Sequence, residues 1–294
     1  MRPPQGRNSM KSTNSKGPRG PRPQGPSGRN EPAWTKEPFD PNAPYWLWGV
    51  HAVTAAISNP RRKVLRLCAS RNGAERLPDP LPNGVQVELI EPDSLAGQLP
   101  AGAVHQGLAV RVEPLKERTL HDVAAPAGGL IMVLDQVTDP QNVGAAFRSA
   151  AAFGARALIL QDRKAAPITG ALAKAAAGAV ELVAEHRAAN LSQTIERLNE
   201  LGYVTIALSG DAEGRLEDVL DGRPTVIVLG SEGKGVRPSV AASCTWTVKI
   251  PIHAKMESLN VSAAAAIALY EARKALDAAK KAKSEDVTEE IIED

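Results

Sequence analysis

The chain of 294 residues has an ordinary hydrophobic share of 43% but only 3% aromatics, so its core must be aliphatic and alanine-rich and stacking platforms for bases are scarce. Its net charge of +2 hides opposed ends: residues 1–30 hold seven Lys or Arg and no acid, whereas residues 284–294 hold six acids and no base. Cys68 and Cys244 stand in no metal-ligand spacing and no run reaches the roughly eighteen apolar residues of a membrane span, which argues against a disulfide framework, a structural zinc and a membrane helix, and for a soluble, reduced, cytoplasmic protein.

Residues 1–44 carry ten of the 23 prolines and almost no aliphatics. Such a segment cannot bury enough surface to offset its ordering entropy, so a disordered basic tail is expected, able to attract RNA by neutralising phosphates. Order is predicted from Tyr45–Val53, whose apolar and small residues lead into a helix through about Ser58. Strands follow at Val64–Ala69, Val85–Ile90 and Ala103–Val112, making a small α/β module over 45–113. Residues 114–129, rich in Pro, Ala and charge, read as a linker.

From Leu130 strands and helices alternate. Strands are predicted at Leu130–Leu134, Ala157–Leu160, Glu181–Ala184, Tyr203–Leu208, Thr225–Leu229 and Thr245–Ile250, with helices at Asn142–Phe153, Thr169–Gly178 and Leu191–Leu201. Buried apolar strands alternating with helices mean a mainly parallel, doubly covered sheet over 130–278, and ligands on such sheets bind beyond the carboxyl ends of the strands. After Pro251 a loop carries Ser258, Leu259 and Asn260 to a last helix, for which Ser258 is the expected N-cap. Residues 279–294 form an acidic tail, disordered by expectation from Ser284 onward.

Three strand ends hold unusual residues. The first is Asp135-Gln-Val-Thr-Asp-Pro-Gln-Asn142-Val-Gly144-Ala-Ala-Phe-Arg148, in which Asn142 can start the helix, Gly144 permits close backbone approach and Arg148 lies within two turns of Asn142. The second, Gly230-Ser-Glu-Gly-Lys-Gly235, lacks the Lys followed by Ser or Thr of a P-loop, and the dinucleotide fingerprint is absent too. It offers backbone amides and carbonyls and one carboxylate, Glu232, to a flat neutral or cationic ligand. The third is Ile250-Pro251 with Ser258-Leu-Asn-Val-Ser262.

In order and spacing these three elements resemble the motifs of the SpoU family of RNA ribose 2′-O-methyltransferases. Gly49-Val-His-Ala-Val53 and Gly102-Ala-Val-His-Gln-Gly107 are similar to the ribosomal-protein-like (L30e-like) substrate module of members that methylate a guanosine of large-subunit ribosomal RNA. The resemblance spans Tyr45 to Leu276. It implies a trefoil-knotted catalytic domain, formed here by residues 225–276, and a homodimer with each active site near the subunit interface. S-adenosylmethionine would be held by backbone from Gly230, Ile250 and Leu259, without a metal. Arg148 would be base or phosphate clamp, and since an arginine stays protonated in ordinary protein settings the clamp is at least as good a reading. Asn142, Asn260 and Ser258 would orient reacting groups, and Glu232 would do so or pair across the dimer.

Two other readings stay open. One is a transfer RNA ribose methyltransferase on the same core, and the other is a non-catalytic RNA-binding assembly factor. If the tail binds phosphates, deleting residues 1–44 weakens RNA affinity and flattens its dependence on salt, as titrations at several salt concentrations would reveal. An unchanged slope would remove the tail from the RNA-binding surface.

Overall fold

The structure is a computed structural model that describes residues 40, 42–162 and 165–293, the side chains of 283 and 286–293 excepted. Apart from residues 40 and 42–44, the tail predicted over 1–44 lies outside the described residues.

The front module begins with strand β1 (Tyr45–Trp48), helix α1 (Val50–Ser58) and strand β2 (Val64–Ala69). The short helix α2 (Arg71–Ala74), strand β3 (Val87–Leu89), helix α3 (Pro92–Ala96) and strand β4 (Leu108–Val112) complete it. These strands make a sheet in the order β1-β4-β2-β3, with β2 and β3 parallel and the other pairs antiparallel. The strand expected over 103–112 is shorter because Gln106 and Gly107 both adopt positive φ, which turns the chain immediately before Leu108. Within the 114–129 stretch Thr119 and Asp122 form a capping box that starts helix α4 (Leu120–Ala124).

The larger sheet runs β10-β8-β9-β5-β6-β7 and is parallel throughout. In chain order its elements are β5 (Leu130–Asp135), α5 (Pro140–Ala152), β6 (Ala155–Gln161), α6 (Gly170–Ala175), β7 (Ala184–Ala188), α7 (Leu191–Glu200), β8 (Val204–Leu208) and β9 (Thr225–Gly230). Helix α8 (Pro238–Ala242), β10 (Trp246–Val248) and α9 (Val261–Glu293) close the chain. Central β5 is buried at every residue, and its side chains divide with period two. Leu130, Met132 and Leu134 join the core under α5, α6 and α9, while Ile131 and Val133 join the one under α4 and α7.

Two expectations fail. Residues 179–181 form a 3₁₀ turn where a strand was predicted over Glu181–Ala184, and the strand lies at Ala184–Ala188. It carries Glu185, His186 and Arg187, tolerable only because β7 is the sheet's last strand. The acidic end is helical as well: α9 continues unbroken to Glu293, well past Leu276, the last buried core residue among its described side chains.

The front module and the larger sheet share one core. Leu47, Val53, Ala56 and Ile57 cluster with Leu172, Ala173, Ala176 and Val180 of the α6 region. Gly170 makes that approach possible, since a Cβ there would overlap the Trp48 ring and the carbonyl of Trp46. Gly170→Ala should therefore cost about 1–3 kcal/mol by overpacking, read in guanidinium unfolding. Stability equal to the parent would mean the contact is loose.

Candidate functional site

The site is built where strands of a parallel sheet all end on one edge. Beyond β5, Gln136 takes a positive φ of 59° and the chain turns into α5. That helix is capped by Asp139, whose carboxylate accepts from the amides of Gln141 (3.2 Å) and Asn142 (3.3 Å), with Pro140 in the first turn. Asn142 therefore does not start the helix as predicted. It sits in the first turn with its side chain free to reach outward.

Beyond β9 the Gly230–Gly235 loop folds back on itself, the Gly235 amide donating to the Ser231 carbonyl at 2.9 Å. Gly230 is obligatory, because a Cβ would overlap the backbone of Gly235 and Val236. The loop is anchored from below by Asp135, fully buried at the end of β5. Its carboxylate takes the Arg237 amide at 2.9 Å and the guanidinium through Nε at 2.9 Å and Nη2 at 2.8 Å. This anchor was not foreseen. An acid ending an apolar strand and an arginine closing a glycine loop were its only signals, and nothing in the spacing joins them.

Beyond β10 the loop 251–260 is mostly exposed and leads into α9. Asn260, not Ser258, is the cap: its Oδ1 accepts from the Ser262 amide (2.9 Å) and hydroxyl (2.5 Å), and its carbonyl accepts from Ala264 (3.0 Å). Ser258 is exposed and makes no hydrogen bond among the described residues.

Of the predicted polar residues, three meet. Asn260 Nδ2 donates to Glu232 Oε1 at 2.7 Å and to Asn142 Oδ1 at 3.1 Å, and Asn142 Nδ2 reaches the same carboxylate oxygen at 3.4 Å. Asn142 and Glu232 of the cluster line an open cavity of about 190 Å³ together with Gln136, Val137, Thr138, Asp139, Ser231 and Val261. Arg148 is not part of it. Six residues on from Asn142 it lies about 120° around the helix axis, exposed, and makes no side-chain hydrogen bond or ion pair among the described residues.

The predicted cofactor residues are only partly gathered. Ile250 lines a second cavity of about 370 Å³ with Arg215, Leu216, Pro251 and, from α9, Ile267 and Glu271. Leu259 and Gly230 line neither cavity. Ile250 and Leu259 are half-buried aliphatics outside any regular element, and their backbone groups have no hydrogen-bond partner among the described residues. Apolar faces beside unengaged amides and carbonyls suit a flat heterocycle with a polar edge. Gly210, after β8, lies under the Glu257 carbonyl and brings a further loop to the same edge.

Residues 129–270 match the model of the SpoU rRNA methylase family. A 23S rRNA (guanosine-2′-O-)-methyltransferase RlmB from Vibrio vulnificus is 34% identical over 239 residues, covering 77% of this chain and 95% of its own. The chain belongs to the SpoU family. A second relative of that description, from Pseudomonas syringae pv. tomato, is 35% identical over 250 residues and covered to 97%. The crystal structure of the SpoU methyltransferase AviRb from Streptomyces viridochromogenes has the same fold, with a TM-score of 0.69 over 80% of this chain and 91% of that one, at 21% identity. Both relatives align beyond the family's core, into the front module.

Asn260 couples the cluster to the helix cap, so its substitutions separate the two roles. Asn260→Ala should lose about 1 kcal/mol by removing the cap. Asn260→Asp keeps the cap but sets a second carboxylate beside Glu232, and its deficit should shrink as the pH falls from 7 towards about 4, because like charge favours a proton shared by the pair in the folded state. Denaturant unfolding at pH 7 and pH 4 distinguishes them, and a pH-independent deficit for Asn260→Asp would contradict the geometry.

Proposed function

We propose that the protein transfers a methyl group from S-adenosylmethionine to the ribose 2′-hydroxyl of a guanosine in large-subunit ribosomal RNA. The observation that carries this reading is the meeting of Asn142, Glu232 and Asn260 from three distant loops, in a chain whose relatives of that activity align over 95% or more of their length. The inclusion of the front module favours this substrate over transfer RNA. No helix among the described residues is long and apolar enough to cross a membrane, and a cytoplasmic site of action follows from the substrate.

The cofactor, when bound, supplies an electrophilic methyl on a sulfonium. Ile250 and Leu259 would hold its adenine between aliphatic faces and pair its edge with their backbone groups, while Gly230 would let backbone come close. Methyl transfer is an in-line displacement, so alignment and exclusion of water account for much of the acceleration. Asn142 orients the ribose through its amide, and Asn260, whose own amide is engaged by Glu232, Asn142 and the helix cap, contributes by holding Asn142 in place. Ser258, on the exposed loop, is an additional orienting group. Arg148 clamps the phosphate beside the reacting sugar and favours the developing alkoxide.

The protein acts as a homodimer in this reading. Helices α5 and α9 pack together and present one face: Ala145, Arg148 and Ala152 on α5, and Ile267 and Tyr270, 40% and 51% exposed, on α9, with the Tyr270 ring edge-on to Phe153 at 5.9 Å. A second copy on this face would bring its Arg148 towards the Asn142 cluster, which the same copy's Arg148 does not reach. The family's trefoil crossing is inferred for residues 225–276. It is supported by α9 returning onto β9 and β5 after β10 has been laid at the far edge of the sheet.

Arg148→Ala should lower methyl transfer on the order of 100-fold or more and leave the affinity for S-adenosylmethionine unchanged by calorimetry. Full activity would refute the role. Mixing Arg148→Ala with Asn142→Ala chains should restore about a quarter of wild-type activity, because mixed dimers hold one intact composite site. No recovery would mean that both residues act within one copy.

A further inference from the structure

The boundary between the front module and the sheet is crossed by a buried ion pair that the methyl-transfer chemistry does not use. Glu181 belongs to the 3₁₀ turn before β7, and Arg62 to the turn between α1 and β2. Arg62 Nη2 meets Glu181 Oε1 at 2.6 Å with both side chains 1% exposed, and Nε lies 3.1 Å from each carboxylate oxygen. Asn59 Nδ2 donates to Oε2 at 2.7 Å. Arg62 Nη1 also donates to the Glu113 carbonyl (2.9 Å) and the Tyr45 hydroxyl (3.3 Å). Among the described residues every side-chain donor to this carboxylate comes from the front module.

Within a packed interface such a pair tolerates one geometry only: a shift of the module would leave a carboxylate that is still buried short of its partners, so the pair fixes register more than it adds cohesion. Nearby, Lys174 of α6 donates to Gln106 of the front module at 2.7 Å, and Gly178 lets the Ala55 side chain and the His51 carbonyl approach its backbone. The same α6 region is tied to the candidate site. A Cβ at Gly144 would overlap the Ala175 side chain and the Leu172 carbonyl, so α5 lies close against α6, and α5 carries Asn142.

We infer that Glu181 and Arg62 are positioning residues for the RNA substrate. They lock the front module at one distance and angle from the Asn142 cluster, so that RNA held by that module is presented to the site by a rigid body and not by a tethered one. The inference rests on the proposed function for its substrate, but the lock itself can be measured without activity.

The test uses the full chain as wild type, Glu181→Ala, Glu181→Gln and Asn59→Ala, with a transcript of large-subunit ribosomal RNA as substrate. Hydrogen exchange should quicken about tenfold in α1 and α6 of Glu181→Ala while β5 and β9 stay protected. Its KM for RNA should rise about tenfold, with kcat and the affinity for S-adenosylmethionine within about twofold. Asn59→Ala should shift the same readouts less, and Glu181→Gln, which leaves the buried guanidinium without its counter-charge and turns an amide N–H₂ on a neighbouring donor, should fall between Asn59→Ala and Glu181→Ala. Faster exchange throughout the chain, or loosened α1 and α6 with an unchanged KM for RNA, would overturn the inference. So would an unfolded Glu181→Ala beside an Asn59→Ala that matches wild type in both exchange and KM. A wild-type chain that transfers no methyl would instead defeat the proposed function, and the exchange pattern alone would then decide the lock.

Discussion

A single amide organises the candidate site. Asn260 spends its oxygen on capping a helix of 33 residues and its nitrogen on joining Asn142 to Glu232. Because the two ends of one planar group are used, the start of α9 cannot shift without pulling on the loops that follow β5 and β9. Those loops are fixed in turn by the sheet beneath them: Asp135, buried at the end of β5, grips Arg237 where the glycine loop ends. The site is thus a surface assembly held by hydrogen bonds that originate in buried backbone, which is how exposed polar groups can be kept at defined separations.

Such a site suits a reaction in which the protein contributes little covalent chemistry. The gathered groups are two amides and one carboxylate, with no metal-binding group of His, Cys, Asp and Glu side chains among the described residues. They can orient, neutralise and exclude water. Arg148 stands apart from them, exposed on α5. In the proposed homodimer a second copy would supply this arginine to the cluster.

How much of this was legible in the sequence depended on the physics each element obeys. Strand β2 was read at both ends, and β5, α7 and β9 to within a residue, because apolar runs and helical spacing report burial directly. The strand at Ala184–Ala188 was misplaced because Glu185, His186 and Arg187 give an edge strand no apolar signature. Both helix starts at the site were off by two or three residues. In each case another polar residue in the same loop could cap, and the choice of Asp139 over Asn142 rests on Pro140 occupying the first turn. The three motif residues that meet were visible only as members of a pattern. Neither the Asp135–Arg237 anchor nor the Arg62–Glu181 lock was visible at all, since each joins residues more than a hundred positions apart and no local rule connects them.

In the proposed function these loops present a methyl donor to the 2′-hydroxyl of a ribosomal RNA guanosine. This is tested most directly by mapping 2′-O-methyl groups in large-subunit ribosomal RNA from cells with and without the protein. One guanosine should lose its ribose methylation with the protein and regain it when the protein is restored. An unchanged map, or a lost methyl that sits on a base instead of a ribose, would contradict it.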